Sequence, residues 1–172
     1  MHIFFHKKAD QNKAFIEQII LEQYNRYYRM AYSYVHNDAD ACDIVQNGAY
    51  RALRASATLK KTEYAETWVY RIMLNECFRA LEQPRHFSYE YLQEEKGFEP
   101  ASTKEDDVSI DLQRALDALP GKDRAVVILR YFEDRRLDEI AQILGENLST
   151  VKSRLYRSMG KLRSVLGDEY RE

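Results

Sequence analysis

Three prolines and six glycines in 172 residues leave little material for tight turns, which argues against a β-rich or turn-rich fold. Cysteine is equally scarce. Cys42 and Cys77 stand apart, each inside a helical pattern, and read as small buried thiols in a reducing compartment. No uncharged apolar run approaches the roughly 20 residues of a membrane span; the core-like AVVIL at 125–129 is among the longest. The N-terminal MHIFFHKKAD places its few apolar residues ahead of its lysines, the wrong order for a signal peptide, so a cytoplasmic protein is expected. His2, His6, His36 and His86 show no metal-ligand spacing, and no glycine-rich phosphate loop or nucleophile–base motif occurs. Neither a metal, a cofactor nor an enzymatic activity is expected.

Helical periodicity, in contrast, is abundant. Apolar residues recur at spacings of three and four from Asp10 to Val35. HNDAD at 36–40 carries stop and start signals together, with Asp38 or Asp40 a candidate N-cap for a helix running to about Ser56. A polar loop, TLKKTE, leads to a third helix near Tyr64 to Leu81, closed by Pro84. Residues 85–106 lose the periodicity and contain Gly97 and Pro100. Three further segments regain it: VSIDLQRALDAL, KDRAVVILRYF and LDEIAQIL. The expected fold is all-α, with two small helical domains (1–84 and 107–172) joined by a flexible acidic linker (85–106).

Net charge is −2, but it is distributed unevenly. Residues 85–111 carry a net −5, whereas LSTVKSRLYRSMGKLR at 148–163 holds five basic residues and no acidic one. The segment before that basic stretch explains it. LDEIAQIL ends at Gly145, suited to the positive φ of a helix stop, and Ser149 is positioned to cap a second helix. Val151, Leu155, Met159 and Leu162 give that helix an apolar stripe. Lys152, Arg154, Arg157 and Lys161 occupy its other face, with Ser149, Thr150, Ser153 and Tyr156 near its start. This is the form of a helix-turn-helix, in which the second helix enters the major groove and flanking cations meet phosphates. A merely solvated basic helix is the competing reading; the preceding helix and glycine turn favour DNA.

The run ALDALPGKDRAVVILRYFEDRRLDEIAQILGENLSTVKSRLYRSMGKLR closely resembles the C-terminal, promoter-binding domain of extracytoplasmic-function sigma factors. DADACDIVQNGAYRAL and TWVYRIMLN resemble their N-terminal domain. The resemblance implies a bacterial transcription initiation subunit that binds core RNA polymerase and promoter DNA and is restrained by an anti-sigma factor, often membrane-bound in this family. It places Asp43, Gln46 and Asn47 on the helix that docks the polymerase clamp. It places Thr58 to Glu63 on the loop that captures a base of the melted strand, for which Lys60, Lys61 and Tyr64 supply suitable side chains. Tyr70, Arg71 and Asn75 match positions facing DNA, while Trp68 reads as core. On the last helix Ser149 is the cap, and Thr150, Lys152, Ser153, Arg154, Tyr156 and Arg157 match positions that meet the upstream element. Fully extended, the linker reaches roughly 70 Å, about two turns of DNA.

Four features depart from the family pattern. Asn47-Gly48 replaces an acidic residue at its first position, and Ala65-Glu66 replaces an aromatic-then-polar pair. Arg79 and Glu82 invert the usual order of charge, and Arg136 stands where a Ser or Thr cap is usual. An alternative function remains open on the residues alone: a helix-turn-helix regulator that binds duplex DNA without polymerase.

Overall fold

A computed structural model describes the backbone of residues 2–82 and 104–167, and the side chains of 10–82 and 111–167. All regular elements among the described residues are helical. The expected linker lies outside them, apart from its last three residues, which already belong to the helix that starts at Lys104.

The single long helix expected from Asp10 to Val35 is two. Helix α1 (His2–Glu22) and α2 (Tyr24–Val35) are divided at Gln23, whose φ of −106° and ψ of 10° break the spiral while its carbonyl accepts the first hydrogen bonds of α2. Periodicity runs straight across the break, which is why the apolar pattern does not show it. Helix α3 (Asp38–Arg54) is capped by Asn37, not by Asp38 or Asp40: the Asn37 side chain accepts from the Asp40 N–H at 2.8 Å. The two aspartates instead stand in the first turn, where negative charge suits the helix N-terminus. Two 3-10 turns, Ser56–Thr58 and Thr62–Tyr64, lead into α4 (Ala65–Glu82).

These four helices bury Ile16, Tyr27, Met30, Tyr34, Val45, Val69, Met73 and Leu74 together. Cys77 lies among them, and burial pushes its thiol up to about 12. Cys42 is only half-buried. Gly48 explains its own place in α3: it is buried, and a Cβ there would come within 2.3 Å of Met73 Sδ on α4.

The C-terminal half contains α5 (Lys104–Asp117), α6 (Gly121–Val127) continued by a π-helical turn at Ile128–Phe132, α7 (Leu137–Leu144) and α8 (Leu148–Leu166). The expected buried helix KDRAVVILRYF thus widens midway, and its last two residues, Tyr131 and Phe132, are exposed. Ala115, Leu116, Leu119, Val127 and Leu162 form a small core of their own. Leu129, Ile140, Ile143 and Val151 join the N-terminal core instead, so one apolar cluster runs through both halves.

Gly48→Ala should gain roughly 1 kcal/mol of helix propensity and lose about 1 to 3 kcal/mol to overpacking against Met73. We expect a net loss near 1 kcal/mol in urea unfolding. A higher unfolding midpoint would show that Met73 swings clear at little cost.

Candidate nucleic-acid and polymerase interfaces

Asp43, Gln46 and Asn47 are spaced i, i+3 and i+4 and share the exposed face of α3, opposite Ile44, Val45 and Gly48. Their side chains make no hydrogen bond or ion pair among the described residues, so they are available to a partner.

The loop between the 3-10 turns is held from below by Asn12. This buried side chain on α1 donates its Nδ2 to the carbonyls of Ser56 at 3.2 Å and Leu59 at 3.1 Å. With Leu59 drawn inward, Lys60 and Lys61 stand in solvent beside Tyr64. Lys61 Nζ lies 5.8 Å from the centre of the Tyr64 ring and 3.6 Å from Glu63. Thr58, Leu59, Lys60, Lys61, Tyr64 and Trp68 enclose an open cavity of about 380 Å³. A second, of about 410 Å³, shares Tyr64 and Trp68 as walls and is completed by Thr67, Arg71 and Gln142. An aromatic floor with cations at its rim can stack a base and hold its phosphate. Trp68, read as core from the sequence, does both jobs: half-buried against the core, it also lines both cavities.

The structure separates the three residues expected to face DNA on α4. Asn75 is exposed. Arg71 donates Nε to the Ile143 carbonyl at 3.0 Å and Nη2 to the Gln142 carbonyl. Tyr70 is entirely buried, packed edge-on against Tyr27 with ring centres 5.5 Å apart. Burial pushes the hydroxyls of both tyrosines well above their usual range.

On the helix-turn-helix, Gly145 ends α7 at φ 65°, as its sequence context suggests. Arg136 gives α7 no side-chain cap; Glu139 reaches back instead, accepting from the Arg136 N–H at 2.8 Å. The cap of α8 is Asn147 rather than Ser149. Its Oδ1 accepts from the Thr150 N–H at 2.8 Å, and Ser149 donates its hydroxyl to the same oxygen at 2.7 Å.

Ser149, Lys152, Ser153 and Tyr156 are exposed, Tyr156 to 86%, and Thr150 is half-buried. Arg154 is not available in the same way. Its Nε and Nη2 donate to Glu146 at 2.7 and 3.0 Å, and its Nη1 to Asp123 at 2.6 Å. Arg157 shares Asp123 at 3.2 and 3.3 Å but keeps half its side chain in solvent. Arg154 therefore ties the turn (Glu146) and α6 (Asp123) to α8, and Arg157 is the more exposed arginine of the pair. Burial alone would raise the Asp123 carboxyl, but hydrogen bonds from Arg157 and Arg154 outweigh it and hold the group below its usual range. Glu146 is lowered too, by its hydrogen bond from Arg154, against burial and with help from Lys122.

An aromatic cavity with lysines at its rim, an exposed polar face on α3 and a helix-turn-helix now stand on one chain. Residues 19–86 match the family model for Sigma-70 region 2, and residues 109–162 that for Sigma-70 region 4. The chain belongs to the extracytoplasmic-function sigma factors. RNA polymerase sigma factor SigV of Bacillus subtilis is 36% identical over 165 residues, spanning 95% of this chain and 98% of that protein. SigW of the same organism is 28% identical over 176 residues, spanning 94% and 93%. The fold is shared with CnrH, solved with the cytosolic domain of CnrY (TM-score 0.68, 21% identity, 95% of each chain). It is shared also with RpoE of Bartonella quintana, solved with the anti-sigma factor NepR (TM-score 0.64, 22% identity, 89% of this sigma factor and 97% of that chain). A helix-turn-helix regulator would explain the region 4 match alone. This sigma factor binds core RNA polymerase and directs promoter-specific initiation.

Arg154→Ala should destabilise the C-terminal half by about 2 kcal/mol or more, because it strips one charged partner from buried Asp123 and another from Glu146. Arg157→Ala should leave stability nearly intact and lower the salt slope of upstream-element binding by about 1. Equal stability losses for the two variants would contradict this division of roles.

Both carboxyls are lowered in the folded chain, so their stabilisation is full at neutral pH and fades as pH falls through the ordinary values of 3.8 and 4.5 toward the folded ones. Urea midpoints measured from pH 7 to pH 3 should drop most steeply below about pH 4.5. The Asp123→Asn variant, weaker at pH 7, should show a shallower drop.

Proposed function

We propose that residues 1–84 carry polymerase docking and single-strand capture, 107–172 upstream-element recognition, and 85–106 the link between them. Asp43, Gln46 and Asn47 would dock the polymerase clamp. Lys60, Lys61, Tyr64, Arg71 and Asn75 would take the melted strand, with Trp68 and Thr67 added as cavity walls and Tyr70 joining them once uncovered. Ser149, Thr150, Lys152, Ser153, Tyr156 and Arg157 would meet the upstream duplex, with Arg154 holding the helix that presents them. The observation that carries this reading is the Tyr64–Trp68 cavity with two lysines at its rim, one helix away from an unpartnered polar face.

No chemistry is assigned to the chain itself, since phosphoryl transfer belongs to the polymerase, and its place of action is the cytoplasm. The two similar solved structures are sigma factors held by inhibitor chains, which supports an anti-sigma factor for this one as well.

The deciding experiment is transcription in vitro with purified chain, bacterial core polymerase and promoters from its own genome. Defined start sites that need both components are expected. Duplex binding without polymerase association would return the chain to the regulator class. Asp43→Ala with Gln46→Ala should weaken polymerase binding about ten-fold or more while leaving duplex affinity intact. Loss of both would mean unfolding.

A further inference from the structure

The inner face of α1 carries Asn12, Ile16 and Ile20 at i, i+4 and i+8, all buried. An apolar residue at position 12 would continue that stripe. An amide there is costly unless its N–H groups find acceptors. They do: Nδ2 donates to the carbonyls of Ser56 and Leu59, more than forty residues away. Asn12 also lies outside residues 19–86, the segment matched to region 2. We propose that Asn12 is the positioning residue of the strand-capturing loop, fixing from α1 the backbone that carries Lys60 and Lys61. The inference rests on reading that loop and the Tyr64–Trp68 cavity as the single-strand site.

The loop has little else to hold its backbone. Its two 3-10 turns close with the Thr58 N–H on the Ala55 carbonyl, the Leu59 N–H on that of Ser56, and the Tyr64 N–H on that of Lys61. Between the Leu59 N–H and the Lys61 carbonyl, Asn12 makes the one hydrogen bond to the backbone among the described residues. That bond fixes a peptide plane. A trans peptide points its C=O and N–H in opposite directions, so a Leu59 carbonyl drawn to α1 turns the Lys60 N–H away from α1. There it makes no hydrogen bond among the described residues, and Lys60 lines the cavity. One amide donor, two ammonium groups and an aromatic wall are thus held in a fixed arrangement, so a strand binds without first ordering the loop. Released from Asn12, the Leu59–Lys60 peptide can rotate, and ordering it then opposes binding.

The test uses holoenzyme reassembled from the full-length chain and bacterial core polymerase. One probe is a single strand carrying the downstream element of a mapped promoter; the other is duplex carrying the upstream element alone. Asn12→Leu keeps the approximate size of the side chain and extends the apolar stripe, but removes the donor. It should weaken strand binding about ten-fold, the size of one to two lost hydrogen bonds, with core affinity and duplex binding unchanged. Trp68 is the only tryptophan of the chain and lines both cavities. Its emission in the free chain should therefore move to longer wavelength as the loop loosens. Ile16→Val, one turn further along α1 and equally buried, controls for a general loosening of the helix and should move neither readout.

Unchanged strand binding by Asn12→Leu overturns the proposal. So does a loss that Ile16→Val reproduces, one matched by an equal loss of core affinity, or one with Trp68 emission unmoved. If Asn12→Leu does not fold, Asn12→Ala, which cannot overpack the stripe, is read in the same way. Unfolding of both overturns the proposal, since Asn12 would then serve the fold and not the loop. Failure of the underlying site reading looks different: Lys60→Ala with Tyr64→Ala would bind the strand as the unsubstituted chain does, or the holoenzyme would bind it no better than core polymerase alone, and the proposal would fall with that reading.

Discussion

Helix α4 is asked to satisfy two neighbours at once, and most of the architecture follows from that constraint. Val69, Met73, Leu74 and Cys77 fill the N-terminal core, which draws α3 so close that a Cβ at position 48 would press on the Met73 thioether. Glu66, Tyr70 and Arg71 turn toward the C-terminal half, where ion pairs, a ring contact and two carbonyls meet them. Trp68 stands between these faces and, with Tyr64, lines both cavities. One side of α4 thus packs against apolar side chains of its own half, and the other adds polar and aromatic contacts to the apolar cluster that both halves share.

That division accounts for what could be read from the sequence. Helix content, the helix-turn-helix and the exposed face of α3 all follow from apolar spacing, because spacing records which residues are buried. The break at Gln23 leaves no trace in it, since the apolar stripe continues from α1 into α2. Capping was legible in kind but not in position. Asn37 and Asn147 lie one to three residues ahead of the aspartates and serine that the patterns favoured, and any of these short polar side chains can cap. Three-dimensional partners were the least visible. Nothing near Asn12 in the sequence hints that it anchors a loop more than forty residues away, nor does the basic run reveal that Arg154 is committed to Asp123 and Glu146.

Charge has two roles in this molecule, and burial distinguishes them. Arg154 and Asp123 sit where water is scarce, hydrogen-bonded on several sides, and fix one geometry. Lys60, Lys61, Lys152 and the exposed portion of Arg157 remain hydrated and can change partners without first dismantling the fold. An overall charge near zero conceals both roles.

The same separation bears on how the protein can change over generations. In α8 the residues that hold it in place, Asn147, Arg154 and the apolar stripe, are different from the residues that face outward, Lys152, Ser153 and Tyr156. A substitution at an outer position can therefore change the chemistry of the exposed face while the anchoring contacts stay in place, and a duplicated copy of the gene could diverge on that face before it lost its structure.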